Sequence, residues 1–273
     1  MRISLDWEST YHYSEPVRLL HTELRVLPAN GHGQRLQAGS IALSPAATPH
    51  ELLDLFSNVY HHVDFLDEVD QITVAVQAEV ETEVVAGEGV LISQAVNPLL
   101  RHLYLASTDR APFADAIAAL MEGIPTDLDA VATGRALCGL LGEQFVFEVG
   151  STDVAATALD LLELRRGVCQ DFSHLMLAAL RQRGIAARYV SGYLAPPEGE
   201  QSAEASHAWV QLLAGDRWYG FDPANNAEQD GHYVVTAVGR DYDDVPPIRG
   251  TFAGLALEEW RTTLRVRSEG AQQ

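Results

Sequence analysis

Cys169, His207 and Asp222 are the side chains whose types and order could do chemistry together. A cysteine nucleophile needs a general base within hydrogen-bond reach, and that base needs a third group to fix its tautomer. Cys169 lies in RRGVCQDFSHLMLAAL, residues 165–180. Gly167 breaks the chain there, and Phe172, Leu175, Met176, Ala179 and Leu180 then recur at helical spacing. Arg181 and Arg183 suit the end of that helix and Gly184 its stop. The thiol is therefore expected in or just before the first helical turn. Unpaired N–H groups and the positive end of the helix dipole converge there and favour the nucleophilic thiolate.

The partners come from strands. Residues 206–213 (SHAWVQLL) and 217–221 (RWYGF) flank the turn Ala214-Gly215-Asp216, and Asp222-Pro223 closes the second run. His207 starts one strand and Asp222 ends the other, so an antiparallel hairpin brings carboxylate and imidazole together. The Cys169 helix packed against that hairpin would complete a Cys-His-Asp triad. Each member alone has a plainer reading: a core thiol, a structural histidine, an Asp-Pro turn. The set is what points to catalysis.

Around this centre the chain reads as two parts. Up to about residue 105 it is β-rich. Ile3, Leu5 and Trp7 alternate with polar residues, as do Leu20, Thr22, Leu24 and Val26. Further strands are expected over 34–44, over 59–65 and around Ile72, Val74, Val76, Ala78 and Val80, with turns at Ser14-Glu15-Pro16, Asn30-Gly31 and Ser57-Asn58. This spacing suggests an antiparallel sandwich-like module. Residues 106–273 mix helices and strands. One helix follows Pro112, a second starts at Thr126-Asp127-Leu128-Asp129 and reaches about Leu141, and a third is capped by Thr152. Strands are expected over 185–194, 232–239 and 256–266, with a polar loop from Pro196 through Glu204. Cys138, between Leu137 and Leu140, reads as a small buried hydrophobe.

The totals narrow the function classes. The 273 residues carry a formal net charge of −20, which repels nucleic acid and anionic membranes. At 47% hydrophobic and 21% charged, the composition is that of an ordinary globular chain. Two cysteines make no disulfide framework, the start MRISLDWEST lacks the apolar core of a signal peptide, and no run suits a bilayer span. A cytoplasmic chain with reduced thiols is the expectation.

The segments GVCQDFSHLMLAALRQRGIAARYVSGYL, SHAWVQLLAGDRWYGFDPAN and HYVVTAVGRDYDDVPPIRGTFAG resemble the bacterial transglutaminase-like cysteine protease family. DLFSNVYHHVDF, in the β-rich part, resembles the N-terminal module that often precedes its core. The resemblance implies an α+β, papain-like core behind a β-rich domain, with Cys169 as nucleophile, His207 as general base and Asp222 as the orienting carboxylate. Ala224 departs from the threonine common there, outside the triad. The implied reaction is acyl transfer through a thioester on a peptide or protein substrate, with water or an amine as acceptor. Hydrolysis is favoured because it needs no acceptor site. Protein cross-linking and a non-catalytic scaffold are the alternatives. The Cys169 N–H is a natural oxyanion donor. Gln144, Tyr189 and Tyr193 are candidates for the second.

No cofactor or metal is expected. Cys169 and His174 are five residues apart, about 140° around a helix, so they do not share a face. His61 and His62 point to opposite faces of a strand. The acidic loop 240–247 lacks EF-hand spacing and reads as ordered. Trp209, Trp218 and Tyr219 are expected to pack beside the site. The N-terminal module could bind substrate, shield the cleft or join a homo-oligomer.

Overall fold

The computed structural model describes residues 1–91, 96–203 and 206–269. The first sheet is organised on β1 (Arg2–Leu24). Its chain-order companions are β2 (Gln34–Ser44), β3 (His50–Leu53), β4 (Val59–Phe65) and β5 (Val69–Thr82). The short β6 (Val90–Leu91) follows. Ile3, Leu5 and Trp7 of β1 and Ile72, Val74, Val76 and Val80 of β5 are buried, while the residues between them face outward. Such alternation needs an antiparallel sheet with one face covered.

The helical part holds α1 (Pro98–Leu103), α2 (Asp115–Leu120) and α3 (Ala130–Gln144). Then come β7 (Val146–Phe147), α4 (Ala158–Leu164), β8 (Arg166–Gly167) and α5 (Cys169–Gln182). The remaining strands are β9 (Ala187–Leu194), β10 (Gly199–Ala203), β11 (His207–Ala214), β12 (Arg217–Asp222), β13 (Ala227–Glu228) and β14 (Tyr233–Gly239), with β15 (Ile248–Ala253) and β16 (Glu258–Glu269) last. A second sheet has the order β13-β12-β11-β9-β14, with β6 added on β12. α5 packs between that sheet and α2, α3 and α4. It is buried on every side from Gln170 to Arg181, which goes beyond the single apolar face the spacing suggests. The molecule is α+β, as expected.

Several boundaries differ from the sequence reading. No turn interrupts β1 at Ser14-Glu15-Pro16; the strand runs through with a register shift against β5 between His12 and Val17. The polar groups are satisfied from the far end of the chain: Ser14 N–H donates to Leu257 O, and Leu257 N–H to Ser14 Oγ. Pro16, which has no N–H to give, sits inside the shift. Asp129, the last residue of the expected start, caps α3 by accepting from Ala132 N–H. Thr157, not Thr152, begins α4, in a capping box with Asp160. Part of the expected loop, 199–203, is the strand β10, paired with β16; Glu204 lies outside the described residues.

The first sheet also draws on the other end of the chain. β16 pairs along β1 from Arg2 to Tyr13, and β15 pairs with its second half. Residues 106–273 therefore do not map onto one spatial unit, because the free edge of β1 is closed by C-terminal strands. The two sheets are joined by side-chain amides acting as strand substitutes. Gln34 exchanges two hydrogen bonds of 2.8 Å with Val235, and Asn58 two of 2.8 Å with Val238. These fill the open edge of β14.

Candidate functional site

The site begins at the entry to α5. Val168 is the N-cap and Cys169 the first helical residue, so its N–H is among those with no partner one turn back. Asp171 fixes the entry by accepting from Val168 N–H (2.8 Å) and Thr152 Oγ1 (2.6 Å). Asp171 is fully buried, and burial raises its carboxyl above the ordinary value. A Cβ on Gly167 would lie 2.7 Å from Asp171 Oδ2 and 2.9 Å from Leu161 Cδ1, so the glycine before the cysteine is a steric requirement. This explains the Gly-x-Cys-x-Asp pattern physically.

The hairpin is as anticipated. β11 and β12 pair antiparallel from Val210↔Phe221 to Ala214↔Arg217, which leaves His207 and Asp222 together beyond the last pair. His207 Nε2 lies 2.6 Å from Asp222 Oδ2. Since Nε2 is used there, Nδ1 is the nitrogen left for the thiol. Burial opposes protonation of His207, but hydrogen bonding to Asp222 and to Cys169 outweighs it and raises the imidazole to about 10. The ring is thus set to carry a proton beside the sulfur.

Asp222 is wholly buried and well satisfied. Oδ2 accepts from His207, from Asn225 Nδ2 (2.7 Å) and from Tyr233 Oη (2.9 Å). Oδ1 accepts from the N–H groups of Ala224 (3.1 Å) and Asn225 (3.2 Å). Burial pushes the carboxyl up, but these donors prevail and hold it below its usual range. Asn225 and Tyr233 were missed from sequence. The D-P-A-N turn could have disclosed Asn225, since an Asp at a turn caps the N–H groups that follow it. Nothing in periodicity marks Tyr233, which comes from β14, separated from β12 by the two strands β11 and β9.

Behind the imidazole, Trp209 lies stacked at 6.1 Å and fully buried. Its Nε1 donates to Gln229 Oε1 (3.1 Å), which also accepts from Gln211 Nε2 (2.7 Å). Gln211 Oε1 accepts from Arg188 Nε (2.9 Å) and Nη2 (2.7 Å), and Arg188 lies 4.0 Å over the Trp218 ring. Both tryptophans are therefore packed, and their polar or π faces are in use.

Other candidates are placed elsewhere. Cys138 is buried in α3, where its thiol donates to Asp222 O (3.4 Å); burial pushes that thiol up to about 12. His174 Nε2 accepts from Tyr242 N–H (3.3 Å), and burial lowers the ring to about 3, so it is neutral and no partner of Cys169. Among the oxyanion candidates, Tyr193 Oη donates to Val26 O (2.7 Å) and is committed to the first sheet. Gln144 Oε1 accepts from Arg165 Nη2 (3.3 Å) at an exposed position. Tyr189 lies close enough for the Cys169 charge to raise its phenol, after burial, the larger cause. In the acidic loop, both oxygens of Asp243 accept from Arg110 and both of Asp244 from Arg240, so these carboxylates are engaged in ion pairs. Among the described residues, no helix is long and apolar enough to cross a membrane.

A thiol at a helix start, an imidazole beside it and a buried carboxylate behind the imidazole are the parts of a cysteine acyl-transfer centre. The comparisons with known proteins agree with that class. Residues 116–223 match the transglutaminase-like superfamily, and residues 3–81 match the bacterial transglutaminase-like N-terminal region. An uncharacterized protein of Mycobacterium leprae (strain TN) is 32% identical over 266 residues, covering 94% of this chain and 95% of its own. An uncharacterized protein of Mycobacterium tuberculosis (strain ATCC 25618 / H37Rv) is 42% identical over 126 residues, covering 42% of this chain and 40% of its own. The crystal structure of a candidate cysteine protease from Cytophaga hutchinsonii superposes with a TM-score of 0.77 at 20% identity, over 97% of this chain and 90% of that one. That last likeness is one of fold. The chain belongs to the transglutaminase-like superfamily, with the bacterial N-terminal region in front of the core.

Proposed function

We propose that the protein is a thiol-dependent acyl-transfer enzyme acting on amide bonds of peptides or proteins, with hydrolysis as its main outcome. The observation that carries this reading is the 2.6 Å bond from the largely buried His207 to the fully buried Asp222, with Cys169 close enough to His207 to help raise its imidazole. In the reaction, the Cys169 thiolate attacks the amide carbonyl and the tetrahedral oxyanion is met by the Cys169 N–H. Protonated His207 gives its Nδ1 proton to the departing amine, leaving a thioester. Neutral His207 then takes a proton from water, the hydroxide adds to the thioester, and the acid leaves as the thiolate reforms. Asp222 holds the imidazole through Nε2 and steadies its charged form. It accepts bonds throughout and takes no proton.

Transfer to a protein amine by the same triad is the alternative, and a scaffold without activity is the other. Five hydrogen bonds on a buried Asp222 and a raised His207 are features a scaffold does not require. The two cysteines are free, which suits a reducing, cytoplasmic location.

The test is a glutamine-containing peptide offered with and without a labelled primary amine. Ammonia release with little label incorporated supports hydrolysis; label on the peptide identifies transfer. Both must vanish in Cys169→Ala, and activity surviving that substitution would overturn the assignment. Iodoacetamide at neutral pH should alkylate Cys169 at least about 100-fold faster than Cys138, whose thiol is buried and protonated. Equal, slow labelling of the two would remove the activated thiol.

A further inference from the structure

The outer face of the first sheet carries a second convergence of ligating side chains, unrelated to the thiol. His21 lies directly opposite Asp64 in the pairing of β1 with β4, and Glu23 lies opposite His62. His62 and Asp64 are two residues apart on one strand, so both point outward with His21 while Val63 and Phe65 point to the core. His21 Nδ1 is 2.5 Å and His62 Nε2 2.9 Å from the same oxygen, Asp64 Oδ1. The two rings stack at 6.1 Å with an interplanar angle of 19°.

From this geometry we propose that His21, His62 and Asp64 form a binding site for a divalent transition-metal cation, with zinc the best match. Their three ligand atoms already lie within 4.8 Å of one another. Tetrahedral zinc at its usual bond lengths sets ligand atoms roughly 3.3 Å apart. Adjacent strands fix the three backbones, and the side chains are 49%, 31% and 41% exposed, so rotation alone closes the remaining gap. Two imidazoles and one carboxylate suit zinc; calcium and magnesium would ask for oxygen ligands almost throughout. Binding displaces any proton from the two coordinating nitrogens, and the Asp64 oxygen that now accepts from both rings turns to the metal. His50, directly opposite His62 on β3, is on the same face and can supply a fourth ligand in place of water. The chain's net charge of −20 raises local cation concentration. The metal would clamp β1 to β4, at a distance from the triad's chemistry. The sequence hid this site because His61-His62 invites attention as a pair, whereas the working neighbours of His62 lie across the strand.

The test uses full-length, chelator-treated Cys169→Ala protein, which removes the competing thiol, titrated calorimetrically with zinc chloride. One saturable site per chain with micromolar dissociation is expected. His62→Ala and Asp64→Asn should each weaken it at least about 100-fold, and circular dichroism should show both variants folded. The zinc-dependent rise in Tm should disappear in both. Absence of saturable binding, or binding equal in the parent and both variants, would overturn the site.

Discussion

The molecule holds two histidine–carboxylate centres of similar chemistry and opposite surroundings. In the core, Asp222 is wholly buried, takes five hydrogen bonds, and holds His207 in one orientation. On the outer sheet, Asp64 is 41% exposed and shares one oxygen between two histidines. The Asp64 carboxyl is also held below its usual range, first by the bond from His21. Depression of the carboxyl is thus common to both; what differs is the cost of breaking the pair. Removing one partner of a buried pair leaves an uncompensated charge or polar group, whereas an exposed pair returns to water. Burial with extra donors makes a fixed centre. Exposure leaves side chains free to rearrange around a ligand.

The largest effect that sharpens this contrast is expected from Asp222→Asn. It keeps the shape but loses the charge that supports protonated His207, and kcat/KM for amide cleavage should fall about 10³–10⁴-fold. A fall under ten-fold would mean that Asp222 only shapes the turn. Tyr233→Phe removes one of its donors and should lower kcat/KM roughly ten-fold with KM little changed. A change confined to KM would break the link from Tyr233 through Asp222 to His207.

The pH dependence of stability should carry the signature of the buried pair. His207 is raised from its ordinary 6.5 to about 10, so its contribution is complete below about pH 6.5 and fades as pH climbs towards 10. Asp222 is held below its ordinary 3.8, so its contribution is present above about pH 4 and is lost as pH falls through the lowered value. The urea midpoint of the native protein should therefore exceed that of His207→Gln most between about pH 4 and 6.5. A difference that widened from pH 7 to 10 would contradict the raised imidazole. At the small end, Asp64→Asn without metal should shift Tm by less than about 2 °C. A larger shift would mean that the outer pair is structural.

Legibility in the sequence followed the range of the interaction. The Cys169 helix, the 207–222 hairpin and the strands 34–44 and 59–65 were visible because local periodicity and turn residues determine them. Cys169, His207 and Asp222 could be proposed together because each sits at the end of such an element. What local pattern could not show was who pairs with whom. β16 joining β1, Gln34 and Asn58 finishing the edge of β14, and Tyr233 reaching Asp222 all link residues far apart in the chain. The Thr152 cap failed for a related reason: its hydroxyl bonds Asp171, a partner set by the fold around Cys169.

The measurement that tests the central claim most directly is mass spectrometry of the covalent intermediate. The protein is mixed with an activated acyl ester of a short peptide, quenched in acid within the first turnovers, digested and mapped. The expected result is one acyl group on the peptide containing Cys169, in the native protein but not in Cys169→Ala. It should accumulate in Asp222→Asn if hydrolysis of the thioester slows more than its formation does. No adduct at Cys169, or acylation spread equally over Cys138 and Cys169, would contradict the assignment of Cys169 as the nucleophile.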